Sequence, residues 1–275
     1  MPPPPAARSV PETVFRDRVL SEGHRIVAEE SAIALSYGGS TEAVMMATPA
    51  DLEDFVIGFS LSEGIVESLD EVTGIAAEPA SGGIDLQISL RDDVDRALRV
   101  RRRAKAGPVG CGLCGVESIE EALKPAADVS AASASLAARD IADAMRALSA
   151  NQPLNAETRA VHAAGFYRPG HGMVAVREDV GRHNALDKLI GHLARQGIPA
   201  SDGAIVMTSR LSVELVQKTA KLGAGILIGV SAPTALAIDM AARAGMTLVA
   251  LARGEDFEIF TGVSRIRPEA EADAA

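Results

Sequence analysis

The chain has 275 residues and a net charge of −10, with 47% hydrophobic residues, 3% aromatics and no tryptophan. This apolar content supports one large core or two modest ones, filled by Ala, Val, Ile and Leu. The acidic balance argues against broad nucleic-acid or membrane-surface binding, because both need an extended basic face.

No apolar run approaches the ~20 residues of a membrane helix. The start, Met1-Pro2-Pro3-Pro4-Pro5, lacks the charged and apolar regions of a secretory signal. The expected location is cytoplasmic. Residues 1–13 and 267–275 read as disordered tails, the first Pro-rich and the second rich in Ala, Glu and Asp.

The first half mixes strands with one clear helix. Residues 25–30, 32–37 and 42–47 have strand character, with Gly38-Gly39 as a turn. Thr48-Pro49-Ala50-Asp51 then opens a helix over about 52–63. Thr48 can cap it, Pro49 suits the first turn, and Asp51 complements the dipole. Gly82-Gly83 predicts a hairpin leading into a strand over 84–90. A loop follows at about 100–116, then an Ala/Ser-rich stretch at 129–137 that merges into a helix over about 136–148. The domain boundary is placed near there: an α+β domain over 14–128 ending in a mobile Cys-x-x-Cys loop, and an α/β domain over 129–266.

The second half alternates regularly. Strands are expected at 173–176, 204–208, 226–230, 247–251 and 257–260, with helices at 184–195, 212–222 and 234–244, each helix stopping at or just before a glycine. Near-continuous apolar strands separated by amphipathic helices predict an α/β layer with a largely parallel sheet.

The two cysteines of the chain, Cys111 and Cys114, lie in Gly110-Cys111-Gly112-Leu113-Cys114-Gly115, just downstream of Arg99, Arg101, Arg102, Arg103 and Lys105. Glycines leave the thiols accessible, and nearby cations favour the reactive thiolate. In a cytoplasmic protein such a pair is catalytic or metal-binding more often than a structural disulfide. Three readings compete. A zinc half-site needs two more ligands, and no second cysteine pair exists. A thioredoxin-type dithiol should open a helix after a strand, whereas this pair follows Ala106-Gly107-Pro108-Val109-Gly110. A sulfur-handling loop needs exposure, mobility and a positive field, all supplied here. Sulfur or redox chemistry therefore ranks above metal binding.

The strand ends carry a second set of candidates. Asp179, Val180, Gly181, Arg182, His183 and Asn184 sit where a strand gives way to a helix, whose free N–H groups attract anions. Thr208-Ser209-Arg210 follows the next strand, and Ser231-Ala232-Pro233-Thr234 the one after. Parallel strands would bring these turns to one sheet edge, where open α/β sheets bind ligands. Arg182, His183, Arg210, Ser231 and Thr234 then favour a phosphate-bearing or nucleotide-like molecule, with Asp179 either touching it or shaping the turn. Neither a Walker A nor a Gly-x-Gly-x-x-Gly fingerprint occurs, which disfavours a P-loop nucleotidase or a Rossmann dehydrogenase. A further strand end, Leu251-Ala252-Arg253-Gly254-Glu255-Asp256, reads as a phosphate or base contact or as a simple turn. His162, in His162-Ala163-Ala164-Gly165-Phe166, reads as a core residue or a pocket wall.

Together these segments resemble the FdhD family of formate dehydrogenase accessory sulfurtransferases over roughly residues 14–266. The matching stretches are 48–59, the Cys-Gly-Leu-Cys-Gly loop, 177–188, 210–218, 229–239 and the run around Arg253-Gly254; Glu178-Asp179-Val180-Gly181-Arg182-His183-Asn184-Ala185 is close to a family signature. The chain departs from the family at Thr208-Ser209-Arg210, where Ser-Gly-Arg is common.

The resemblance implies a cytidine-deaminase-like three-layer C-terminal domain with a smaller N-terminal α+β domain. It implies a sulfurtransferase that takes sulfur from a cysteine desulfurase as a persulfide. The sulfur passes to the molybdenum cofactor, a bis-molybdopterin guanine dinucleotide, before that enters the formate dehydrogenase catalytic subunit. The resemblance further implies that Cys111 and Cys114 carry the sulfur, with Cys111 as the active-site residue, and that Leu251–Asp256 contacts the guanine dinucleotide. No permanently bound metal is expected, and the resemblance implies a homodimer.

Two rivals remain in view. A cofactor chaperone without sulfur chemistry would tolerate loss of both cysteines. A zinc deaminase would need His-x-Glu upstream of its cysteines, whereas His162 follows the pair and precedes Ala163-Ala164.

Overall fold

The computed structural model describes residues 4–105 and 123–268. The first element contradicts the expected tail. Strands β1 (Ala7–Arg16) and β2 (Val19–Ala28) form an antiparallel hairpin from Ala7↔Ala28 to Arg16↔Val19. Val10, Glu12 and Val14 are half-buried while Pro11, Thr13 and Phe15 are exposed, an alternation with the strand period. The turn residues Asp17 and Arg18 both have positive φ, 52° and 66°, as a two-residue hairpin turn of matching twist requires. Without Asn or Gly at those positions the usual hairpin signal is absent.

A four-stranded sheet follows, in the order β4 (Ser40–Ala47), β3 (Ser31–Tyr37), β6 (Gly83–Leu90), β5 (Val72–Ala80). Ile33, Leu35, Leu86 and Ile88 pack beneath Phe55, Val56 and Phe59 of helix α1 (Leu52–Ser62). Helix α2 (Asp92–Lys105) then occupies ground where a loop was expected from about residue 100. Its first turn holds Asp92, Asp93 and Asp95, favourable at a helix N-terminus. Arg99 pairs with Asp95 one turn earlier at 2.7 Å, so part of the basic run serves a helix. Cys111, Cys114 and the rest of the expected loop lie outside the described residues.

The second core is built on a six-stranded sheet in the order β13-β12-β11-β10-β8-β9. The strands are β8 (His162–Arg168), β9 (Gly172–Asp179), β10 (Ala204–Met207), β11 (Ile226–Gly229), β12 (Thr247–Arg253) and β13 (Asp256–Thr261). The largely parallel sheet expected from the sequence is in fact mixed. β10, β11 and β12 run parallel, β13 is antiparallel to β12, and β8 is antiparallel to both of its neighbours. Only three residues separate β8 from β9, too few for the crossover that parallel neighbours need.

Helix α3 (Ala138–Ala150) covers one face with Ile141, Ala144 and Leu148, and the short helix α4 (Pro153–Thr158) follows it. Helices α5 (Arg182–Arg195), α6 (Val213–Lys221) and α7 (Ala235–Arg243) cover the other face with Leu186, Leu189, Leu215, Val216, Ala237 and Met240. Val129 belongs to this second core and Ala126 packs on it. A two-residue parallel pairing of β7 (Leu136–Ala137) with β14 (Ile266–Arg267) ties the chain end back to the start of α3. Among the described residues no helix is long and apolar enough to cross a membrane.

The two cores meet at α1 and α5, which cross at glycines. A Cβ on Gly58 would lie 1.7 Å from the Asp187 carbonyl oxygen, and one on Gly191 would lie 1.9 Å from that of Asp54. Buried charges lock the seam. Asp54 accepts from Arg177 at 2.8 Å and from Arg195 at 2.7 Å. Lys218 reaches Asp187 at 2.8 Å and the Ser62 hydroxyl at 2.9 Å. Thr48 does not cap α1. Asp51 takes that position, in a left-handed conformation and without a side-chain capping bond. Thr48 is instead drawn into the seam, where its groups meet the turn after β9.

Candidate functional site

Because β9 runs parallel to β10, and β8 antiparallel to both, one edge of the sheet collects the ends of β9, β10, β11 and β12 and the start of β8. The turns singled out in the sequence all lie there.

The turn after β9 is organised by Asp179, which is fully buried. One carboxylate oxygen accepts from the Gly181 N–H at 2.8 Å and the Asn184 side-chain amide at 3.0 Å. The other accepts from the Thr48 N–H at 3.0 Å and lies 2.7 Å from Lys188 Nζ. All its acceptor capacity is directed inward, so the structure gives Asp179 the role of shaping the turn. A Cβ at Gly181 would sit 2.8 Å from the Asn184 Nδ2, so a side chain there would push the Asn184 amide from its place beside Asp179. Helix α5 begins at Arg182, two residues before the expected start, and Gly181 occupies its cap without a side chain to offer.

Arg182 and His183 are therefore half-exposed in the first turn of α5. Arg182 Nε is buried without a hydrogen-bond partner among the described residues. His183 Nε2 lies 2.8 Å from a carboxylate oxygen of Glu214 on α6. That contact with His183, reinforced by the charges of Arg182 and Lys218, holds the Glu214 carboxyl below its ordinary range. His162, at the start of β8, is pushed down from its ordinary pKa first by burial and then by the charge of Arg182.

After β10, the Thr208 hydroxyl accepts from the Ala163 N–H at 2.8 Å and fastens the strand end to β8. Ser209 is buried and its hydroxyl donates to the Arg210 carbonyl at 3.0 Å, while Arg210 itself is exposed. The Thr234 N–H donates to the Leu211 carbonyl at 3.0 Å, joining the turns after β10 and β11. Thr234 caps α7 by accepting from Ala237 N–H at 3.2 Å, so its oxygen is already engaged. Ser231 accepts at its carbonyl from the Leu251 N–H at 3.4 Å.

The Leu251–Asp256 stretch divides. Ala252 is a core residue, and Leu251 adopts a left-handed φ of 53° at a β-bulge. Arg253, Gly254, Glu255 and Asp256 are exposed, with Arg253 and Asp256 paired across a turn that Gly254 opens with φ 62°. Glu255 pairs with Arg146 of α3. Arg253 Nε donates to the Val230 carbonyl at 3.1 Å.

Val230 also lines a cavity of about 360 Å³ at this edge, with Met145, Leu148, Gln152, His162 and Thr208. Its size falls within the ~300–1,000 Å³ of small-molecule sites. The edge thus presents Arg182, Arg210 and Arg253 and holds a cavity whose apolar walls (Met145, Leu148, Val161, Val230) alternate with polar groups that include Ser149 and Asn155, an arrangement suited to a molecule with a flat organic part and an anionic part. Of the residues named from the sequence, Arg182, His183, Arg210, Ser231 and Arg253–Asp256 border this edge. Asp179, Thr234 and Ala252 face inward or are committed. Gln152 and Glu214 were not anticipated: Gln152 follows a helix with no motif around it, and Glu214 is one carboxylate in an ordinary amphipathic helix. Among the described residues no three His, Cys, Asp or Glu side chains converge as metal ligands.

The FdhD/NarQ family model matches residues 28–267. A protein of Agrobacterium fabrum named sulfur carrier protein FdhD is 58% identical, the match covering 94% of this chain and 96% of that one. A protein of the same name from Brucella abortus is 53% identical, covering 94% and 97%. The crystal structure of a formate dehydrogenase accessory protein from Desulfotalea psychrophila superposes with a TM-score of 0.75 at 27% identity, covering 96% of this chain and all of the other.

Proposed function

The chain belongs to the FdhD/NarQ family, and on that footing we propose that it is a sulfur carrier protein acting in the maturation of formate dehydrogenase. The sulfur donor is a cysteine desulfurase. The Cys111 thiolate attacks the terminal sulfur of the donor's persulfide, the donor's S–S bond breaks, and the donor leaves as its thiolate. Cys111 then bears the persulfide. Attack by the Cys114 thiolate on Cys111 Sγ would close a Cys111–Cys114 disulfide and release the outer sulfur as hydrosulfide, and a dithiol reductant would then return the pair to thiols for the next transfer.

The acceptor substrate is the molybdenum cofactor as a bis-molybdopterin guanine dinucleotide. The observation that carries this assignment is the edge itself: Arg182, Arg210 and Arg253 for phosphates, beside a cavity that suits a base. The mixed sheet, with an antiparallel strand inserted beside three parallel ones and helices on both faces, supports the likeness to a cytidine-deaminase layer. The acceptor is delivered to the formate dehydrogenase catalytic subunit, and the protein works as a cytoplasmic homodimer.

The test is Cys111→Ala. In cells lacking the native protein, the variant should fail to activate formate dehydrogenase while folding normally. Full activation by Cys111→Ala would remove the sulfur-transfer role and leave a cofactor chaperone.

A further inference from the structure

Gln152 lies between α3 and α4 and lines the strand-edge cavity. It is 7% exposed. Its side-chain NH2 donates to the Leu148 carbonyl at 3.1 Å. That bond fixes which way the amide points, because a flipped amide would set its oxygen against the Leu148 oxygen. The other end, Oε1, is therefore an acceptor by necessity, and it is buried with no partner among the described residues. A buried amide oxygen left unpaired is destabilising because it has given up water without gaining a partner, so a ligand donor placed there would restore a lost hydrogen bond.

The rest of the cavity narrows the choice of ligand. Met145, Leu148, Val161 and Val230 give apolar walls, and Ser149 and Asn155 add polar groups at which further edges of a heterocycle could bond. The Thr208 hydroxyl oxygen is already engaged with Ala163, and burial, then the charge of Arg182, disfavours the charged form of His162. Arg253 braces the Val230 wall from outside, placing a guanidinium next to the cavity. A planar heterocycle with N–H donors on its edge, attached to phosphates, meets all of these conditions.

We propose that Gln152 is a specificity-determining residue, its Oε1 accepting from the N1–H and exocyclic N2 amine edge of a guanine base. The assignment rests on the acceptor proposed above and adds the residue that selects the base. Adenine presents a bare N1 acceptor at that edge, which would oppose Oε1, and hypoxanthine lacks the N2 amine.

The full chain would be titrated calorimetrically with GDP, IDP and ADP, as wild type and as Gln152→Leu, with melting temperatures recorded for both. Wild type should bind GDP at least about 10-fold tighter than ADP, whose N1 leaves the buried acceptor unpaired, and about 3-fold tighter than IDP, which keeps N1–H and lacks only the N2 amine. Gln152→Leu should bind GDP about 10-fold more weakly and lose the preference over IDP, while melting cooperatively. If the variant melts without a cooperative transition, Gln152→Met gives the same readout at a smaller change of shape. A folded variant that keeps the wild-type preference overturns the role of Gln152 alone. Wild type that binds none of the three nucleotides overturns the guanine-dinucleotide acceptor and, with it, this assignment.

Discussion

Asp179 and Lys188 form an ion pair of 2.7 Å in which both side chains are fully buried. Neither charge is isolated. Lys188 also donates to the Thr48 carbonyl at 2.9 Å, and Asp179 accepts from the Thr48 N–H at 3.0 Å. One residue of the first core thus closes a ring of polar contacts around a pair belonging to the second. The pair sets the turn from which Arg182 and His183 project, so a seam that holds the cores together also positions the site.

Removing one member of a buried pair leaves an uncompensated charge, at a cost of roughly 3–5 kcal/mol. Asp179→Ala should therefore lower unfolding free energy by about that much, with Lys188→Met similar. Denaturant melts at neutral pH measure it. A loss below about 1 kcal/mol, the level of an exposed pair, would contradict the clamp.

The crossing of α1 and α5 tolerates no side chain. Gly58→Ala places a methyl 1.7 Å from the Asp187 carbonyl oxygen, which only separation of the helices can relieve. Destabilisation at or beyond the usual ~1–3 kcal/mol of overpacking is expected. Gly64→Ala is the contrast, because nothing lies within 4 Å of its Cβ position, although its φ of +64° adds some strain. Thermal melts should show Gly58→Ala far below Gly64→Ala.

Stability should fall on mild acidification. His162 has its pKa lowered from 6.5 in the folded chain, mainly by burial and next by Arg182. As pH drops below 6.5 the unfolded chain takes up that proton before the folded one, so protonation favours unfolding. Stability is complete well above 6.5 and declines as pH falls from there toward the lowered folded value. His162→Gln should flatten the melting temperature between pH 7.5 and 5.5 relative to wild type; an unchanged slope would contradict the assignment.

Arg210 is exposed at the strand-end edge proposed to hold the ligand and can be replaced without disturbing the core. Arg210→Glu should weaken GDP binding by roughly 10-fold at low salt, and the gap to wild type should narrow at high salt as screening shortens to ~3 Å at 1 M. Melting should be nearly unaffected. Equal affinities would place the phosphates elsewhere.

Much of this architecture was legible because period and punctuation agree in the second half. Glycines at 197, 223 and 245 end or follow helices in left-handed conformations, and apolar four-residue strands stand between them. The hairpin β1–β2 was hidden by a turn of Asp17 and Arg18 that carries no glycine. Helix α2 was hidden by reading its arginines as a field for the cysteines, when Arg99 answers Asp95 one turn away. The strand-edge turns were visible as Ser, Thr, Arg and His after strands. Which of them are spent internally was not, because the burial of Asp179 depends on Thr48, 131 residues earlier. Gln152 carries no local signature; its unpaired oxygen exists only in three dimensions.

Sulfur carriage by Cys111 and Cys114 is the proposal on which the rest depends. The most direct measurement incubates the purified chain with a cysteine desulfurase and cysteine, followed by intact and peptide mass spectrometry. A gain of one sulfur is expected on the peptide containing Cys111 and Cys114, removed by reductant and absent from Cys111→Ala. No gain, with the desulfurase turning over and both thiols reduced, would contradict it.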